Sequence, residues 1–164
     1  LEDLAFGRGA GAAGDGALDV VLRHRGVARL LDGGGQAGVP VGVRPALARG
    51  ETVICDRFAP STFAYQVHAR GLDDASVRAA NTIATGGLEP DLVVYLDIAP
   101  EAGLKRKLGE TEAIRTGLEG IEFHRKVREG YLAQAAADPA RWLVVDATLS
   151  REQVVERIWA ELDR

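Results

Sequence analysis

Between Asp56 and Gln66 the chain reads Asp56-Arg57-Phe58-Ala59-Pro60-Ser61-Thr62-Phe63-Ala64-Tyr65-Gln66, setting an acid, a base, two hydroxyls, a phenol and an amide side by side. The stretch before it, Glu51-Thr52-Val53-Ile54-Cys55, is short, apolar and β-branched, which fits a buried parallel strand. In open α/β sheets ligands bind in the crevice beyond the carboxyl ends of the strands, so Asp56 and Arg57 are expected at its mouth. A guanidinium there offers a planar fork for phosphate oxygens, and a carboxylate offers charge for placing a cation or a water. The alternatives are a surface ion pair for Arg57 and an Asx turn for Asp56. Ser61 and Thr62 suit capping of the helix that Pro60 opens, as well as ligand contact.

The elements that must position these groups alternate along the chain. A strand is expected at 52–56, a helix from Pro60 to about Ala69, and a second helix capped by Asp73 or Asp74 that runs to about Gly86. A buried strand follows at 92–97, then a helix from Pro100 to about Leu108. Ile121 to Ala137 reads as a long amphipathic helix, Trp142 to Val145 as a strand, and Ser150 to Leu162 as a helix capped by Ser150 with Glu152 and Gln153 in its first turn. Apolar spacing from Ala17 to Leu31 reads as helix, interrupted by Gly26. Strands separated by helices predict a parallel sheet.

Together these blocks carry a resemblance. Asp56-Arg57-Phe58 with Ser61 to Gln66, then Leu88-Glu89-Pro90-Asp91-Leu92-Val93-Val94-Tyr95-Leu96-Asp97, Pro100 to Arg106 and Val144-Val145-Asp146-Ala147-Thr148 resemble, in order and spacing, the thymidylate kinase family over roughly residues 43–164. The resemblance implies an α/β fold of the P-loop nucleoside-monophosphate-kinase kind, a parallel sheet with helices on both faces. It implies phosphorylation of dTMP to dTDP by ATP with Mg2+, in dTTP biosynthesis, with no dedicated metal ligands. Arg57 would contact the acceptor phosphate. Asp56 would orient that phosphate or the magnesium-bound water. Ser61 and Thr62 would face the acceptor, Thr62 at the thymine edge. Tyr65 would lie under the deoxyribose with Gln66 beside it. Arg106 would lie against adenine, and Asp146, Ala147 and Thr148 would form the adenine wall. A lid is implied at 109–120, with Arg115 reaching ATP; exposed segments between glycines suit such a part. Where family lids end in Asp-Arg-x-Glu, this chain has Glu119-Gly120-Ile121-Glu122.

The family's Gly-x-x-x-x-Gly-Lys-Ser/Thr loop is not found in this sequence, which has no Gly-Lys dipeptide. Its Arg-Glu-Pro segment and the helix with a stacking Phe and a base-reading Arg are likewise missing; by spacing back from Arg44 those positions fall near Leu31 and Gly35. Of the 20 glycines, 12 precede residue 51, so residues 1–42 form a Gly/Ala-rich lead of different character, expected to be disordered or out of frame. The sheet is therefore expected to be incomplete, with strands 52–56 and 92–97 flanking the place of the phosphate-loop strand and the fold marginally stable. Two alternatives stand beside dTMP kinase: a non-catalytic nucleotide-binding relic, and another deoxynucleoside or nucleoside monophosphate kinase.

Bulk properties narrow the class. A net charge of −4, from 24 acidic and 20 basic side chains, argues against a general nucleic-acid binder. No apolar run reaches the roughly 20 residues that span a bilayer, and a cytoplasmic protein, possible as a homodimer, is expected. Cys55 is the single cysteine and belongs to an apolar strand, so core packing is its expected role. His24, His68 and His124 share no metal-ligand spacing, and Trp142 and Trp159 are expected in the core.

Overall fold

The computed structural model describes residues 21–22, 28–31, 42–106 and 117–163. The Gly/Ala-rich lead up to residue 20, Gly35, Arg115 and most of the expected lid lie outside the described residues.

The strand expected before Asp56 is β3, Thr52–Cys55. It pairs in parallel with β2, Ala28–Leu31, and antiparallel with β1, Val21–Leu22, in the order β1-β3-β2. Within the expected helix over 17–31, the described residues, 21–22 and 28–31, are strand instead of helix. Val20-Val21-Leu22 and Val27-Ala28-Arg29-Leu30-Leu31 are brief apolar runs around Gly26, too short for periodicity to separate strand from helix. The backbone groups along both edges of the buried β3 need partners, and these runs supply them.

The second ladder joins β4, Val93–Asp97, in parallel to β5, Trp142–Asp146, in a register that sets Asp97 beside Asp146. Among the described residues no ladder joins β3 to β4. Their side chains nevertheless share layers. Val53 and Cys55 of β3 pack with Val93 of β4, Val43 and Phe58, while Ile54 joins the opposite layer with Val94, Val145 and Ile158.

Helices cover both faces, and strand alternation decides which. On one face Leu92, Val94 and Val145 meet α6, Arg151–Leu162, through Val154, Ile158 and Leu162. On the other, Tyr95 meets Val127 and Tyr131 of α5, Gly117–Ala137. Ser150 closes the α6 N-terminus in a reciprocal capping box with Gln153, as its sequence predicts. Asp73 caps α3, Asp74–Thr85, accepting from the Ser76 N–H at 2.8 Å, and Gly86 ends it at φ 61°. Arg44, opening α1 (Arg44–Ala48), donates to the carbonyls of Thr85 and Gly86 at 3.1 and 2.7 Å and so satisfies that helix end.

After β3 the chain forms α2, Ala59–Thr62, which widens without a break into a π-helical segment, Phe63–Ala69. The helix begins at Ala59, with Phe58 in the capping position and no side-chain cap. The expected capping by Ser61 or Thr62 is corrected: Pro60 is confined to the first helical turn, which places both hydroxyl residues inside the helix. Helical backbone over 100–106, here α4, agrees with the expected helix at Pro100. α5 starts at Gly117, earlier than Ile121, and takes in the last residues of the expected lid. Trp142 is partly buried between two core clusters, and Trp159 is partly buried on α6.

Candidate functional site

Beyond Cys55, which is 2% exposed as its apolar strand predicts, the chain turns sharply. Arg57 adopts φ 66°, the one described non-glycine residue in the left-handed region, and Phe58 drops into the core at 2% exposure. The Cys55 thiol reaches the Arg57 carbonyl at 3.5 Å. A left-handed arginine carries conformational strain of the kind that concentrates at ligand sites and persists only where the surroundings hold it. Here the β3 end, the buried Phe58 and Pro60 hold it. The guanidinium carbon lies 5.3 Å from the centre of the Tyr65 ring, a cation–π contact that orients the fork.

Tyr65 in turn meets Phe123 of α5 edge-on at 6.0 Å, and Arg70 lies 5.3 Å from the centre of the Phe123 ring. Arg70 also donates to the Gln66 side chain at 2.9 Å. Arg57, Tyr65, Phe123 and Arg70 thus form one continuous wall, with Gln66 at its outer end. Two backbones must approach closely to make it. At Gly130 of α5, an added Cβ would come within 2.8 Å of the His68 Cβ and 3.0 Å of the Ala64 Cα.

Ser61 is placed differently from Tyr65. It is 7% exposed, and its hydroxyl is 2.6 Å from that of Tyr131, itself stacked on Tyr95 at 4.7 Å. Its contact is with the core side of α5. Thr62 is partly buried in the last turn of α2.

A second group of expected residues gathers at the carboxyl ends of β4 and β5. Asp146 accepts from the Thr148 N–H at 2.8 Å and hydroxyl at 2.7 Å, closing an Asx turn. These two bonds, the hydroxyl's first, hold the Asp146 carboxyl below the usual aspartate range, with Arg106 adding a smaller charge effect. Arg106 donates to the Ala147 carbonyl at 2.7 Å, and the Ala147 N–H bonds the Asp97 carbonyl at 2.8 Å. Arg106, Asp146, Ala147 and Thr148 are therefore brought together.

Sequence reasoning passed over Asp97 and Arg128. Arg128 of α5 grips Asp97 with two bonds, Nε to Oδ1 at 2.6 Å and Nη2 to Oδ2 at 2.8 Å, which raises the guanidinium pKa further. One turn earlier, Arg125 bonds Glu101 at 2.5 Å and Glu122 at 3.2 Å. Glu101 is held below the usual glutamate range, first by its own backbone N–H and then by Arg125. Asp97 closes a strand at a crevice as Asp56 does, and that position was a signal open to sequence reading. Its partner, 31 residues away, left none.

The Asp56 carboxylate has no hydrogen bond or ion pair among the described residues, and it stands partly exposed at the strand end. A single hard oxygen donor of this kind fits Mg2+ that arrives on a nucleotide, because this ion keeps several waters and needs few protein ligands. No group of three or more His, Cys, Asp or Glu residues fit to hold a metal occurs among the described residues. No described helix is long and apolar enough to cross a membrane. A cavity of about 420 Å³ lies at the amino ends of β4 and β5, beside Pro60, Phe63, Arg78, Pro90, Arg141 and Trp142. It is lined by none of Asp56, Arg57, Tyr65, Arg106 or Asp146.

Comparison with known proteins shows the family. The family profile described as Thymidylate kinase matches residues 40–158. The chain is similar to thymidylate kinase of Thermomicrobium roseum, 50% identical over 119 residues that make up 72% of this chain and 57% of that protein. It is 49% identical over 119 residues to that of Synechococcus sp. JA-3-3Ab, covering 72% and 56%, and 46% over 118 to that of Deinococcus radiodurans, covering 72% and 57%. The chain spans a little over half the length of these relatives. With a strand-end Asp-Arg turn, an aromatic wall beyond it, an Asp-Ala-Thr turn after the last strand and a family match over most of its residues, this chain belongs to the thymidylate kinase family.

Proposed function

We propose that the site serves transfer of the ATP γ-phosphate to dTMP, with Arg57 as the anchor of the acceptor phosphate and Arg106 with the Asp146-Ala147-Thr148 turn as the adenine side. The observation that carries this reading is the left-handed Arg57 at the β3 end, its guanidinium held on the Tyr65 ring. Phosphoryl transfer requires little covalent chemistry of the protein; it depends on positioning and on neutralising charge. A preorganised guanidinium meets a phosphate without first losing side-chain freedom, and its fork gives two parallel bonds. Tyr65 beside it offers a flat apolar surface to the pentose, and Thr62 and Gln66 complete the acceptor side.

Mg2+ would be held by the ATP phosphates with Asp56 as the nearby carboxylate, and when bound it neutralises developing charge on the transferred group. Asp56 itself would orient the acceptor phosphate or a magnesium-bound water. Arg115 would reach ATP from the lid at 109–120. A cytoplasmic location goes with this reading. A homodimer accompanies the proposal: Ile83, 84% exposed on α3, and Leu72, 51% exposed, are apolar surface that a second copy would cover.

A second reading, a nucleotide-binding relic without catalysis, is favoured by the lack of a Gly-x-x-x-x-Gly-Lys-Ser/Thr sequence in these 164 residues. Titration calorimetry with dTMP tests the part common to both. Losing a charge-assisted contact costs about 1.5–3 kcal/mol, so Arg57→Ala should weaken binding at least about tenfold. Equal affinity of the two proteins would remove Arg57 from the acceptor site.

A further inference from the structure

The cavity of about 420 Å³ at the amino ends of β4 and β5 lies at the opposite end of the sheet from Asp56 and Asp146, and no residue of the acceptor or adenine side lines it. Small side chains leave it open. Where α5 passes the π-helical segment it carries Gly130, Ala133 and Ala137, which are too short to fill the space beside Phe63 and Val67, and Trp142 adds a second aromatic wall. Mostly apolar walls with a few placed polar groups, in a volume within the range of about 300–1,000 Å³, are the make-up of a small-molecule site.

The polar groups of the lining favour a cation. On the α3 side Arg78 is bound by Asp74 at 3.0 and 3.3 Å and lies 4.8 Å from the centre of the Phe63 ring, so one cation of the chain already rests on an aromatic face here. On the β5 side Arg141, the neighbour of Trp142, faces two carboxylates, Asp138 at 2.5 Å and Glu89 at 3.2 Å. With histidine counted as neutral, the lining has three acids, Asp74, Glu89 and Asp138, against the two arginines, and the excess charge falls at the Arg141 end. Gln134 adds an acceptor and no free donor. Its Nε2 donates to the carbonyls of Pro60 and Gly130, each at 3.1 Å, which fixes the amide and leaves Oε1 without a hydrogen-bond partner among the described residues.

We propose that this cavity is a second binding site, separate from the crevice, for a small aromatic cation: a primary amine on a short arm from one flat ring. The ring packs among Phe63, Val67 and Trp142, and the ammonium sits at the Glu89–Arg141–Asp138 cluster, where one carboxylate has no cation of its own. An ammonium has three donors and no acceptor, which suits a lining whose spare polar capacity is acceptors. A carboxylate in its place would meet like charge, and a neutral head would leave the excess charge unanswered. The aromatic wall favours the cation further, because ring faces attract positive charge.

The test is an NMR titration of the full chain at about pH 8, where an ordinary histidine is neutral. The three probes are 2-phenylethylammonium, 2-phenylethanol and 3-phenylpropionate, which share a ring and a two-carbon arm and differ in the charge of the head. The indole N–H signal of Trp142, assigned by its loss in Trp142→Phe, reports occupancy. The ammonium should bind with a dissociation constant of about 1–10 mM, the range for a ligand of about nine heavy atoms. It should bind about three- to tenfold more tightly than the alcohol, and the propionate more weakly than either. Glu89→Gln, which makes the acids and bases of the lining equal, should remove most of that preference and leave the affinity for the alcohol unchanged. Ala133→Trp, at an exposed position of α5, should fill the cavity and abolish binding at an unchanged melting temperature, whereas Arg57→Ala should bind the ammonium as the wild type does. Equal affinity for the three probes, a preference for the propionate, or a preference unaltered in Glu89→Gln would overturn the assignment of a cation. A Trp142 signal that stays in place up to about 50 mM ammonium, binding that persists in a folded Ala133→Trp, or loss of binding in Arg57→Ala would overturn the site itself.

Discussion

Gly130→Ala should destabilise the protein although it removes a glycine from the middle of a long helix. Helix propensity by itself predicts the opposite, a gain of about 1 kcal/mol. Gly130 is one of the glycines of normal negative φ, so space and not backbone conformation decides the outcome. The new Cβ would meet the His68 Cβ at 2.8 Å and the Ala64 Cα at 3.0 Å, where carbon atoms normally stay about 3.5–4.0 Å apart. Neither obstructing atom is the far end of a flexible side chain. One is backbone and the other is attached to it, so α5 and the π-helical segment must separate. Overpacking of this kind costs about 1–3 kcal/mol, and the rigidity of both obstacles puts this site near the upper end. Less the propensity gain, the net loss is about 2 kcal/mol. For a chain of this length that lowers Tm by about 4–8 °C. Thermal unfolding followed by far-UV circular dichroism measures it. Because Ala64 adjoins Tyr65, the same separation should weaken dTMP binding. A Tm equal to or above that of the wild type would refute the argument, since helix propensity would then outweigh the contact.

Arg128→Ala and Asp97→Ala should show a favourable coupling of about 0.5–1 kcal/mol in a double-mutant cycle by urea denaturation, modest because the arginine side chain is 37% exposed; additive losses would mean the two-bond pair contributes nothing. Thr148→Val should raise the Asp146 pKa toward the ordinary aspartate value, because the Thr148 hydroxyl is the largest cause of its lowering; carboxyl NMR titration checks this. The sign for stability follows. The Asp146 contribution is present above the unfolded-chain value of about 3.9 and is lost as pH falls through the lowered native value, so Thr148→Val flattens the acid limb of the stability curve below about pH 4. Finally, a coupled ADP-release assay with ATP, Mg2+ and dTMP should give turnover well under about 1 s⁻¹ for these 164 residues, since their sequence offers no phosphate loop for the donor. Ordinary kinase rates would disprove that expectation.

Local chemistry was enough to read much of this protein. The β-branched run before Asp56, Pro60 at the helix start, Asp73 and Ser150 as caps and Gly86 as a helix end each act within a few residues, and each occurs where its chemistry calls for it. The order of the motif blocks likewise sufficed for the family and for the α/β class. Residues that lie next to one another in the chain and share an element, such as Asp146 and Thr148, could be placed together for the same reason. Tertiary structure decided the rest. Whether 21–22 and 28–31 form helix or strand depends on the hydrogen-bonding edges of β3, which no local pattern encodes. Ser61 became a core residue because Tyr131, 70 positions later, lies against it. The grip of Arg128 on Asp97 and the approach allowed by Gly130 depend on how α5 lies across the sheet. These contacts arise between faces of separate elements, and a face acquires its partner only when the whole chain has packed.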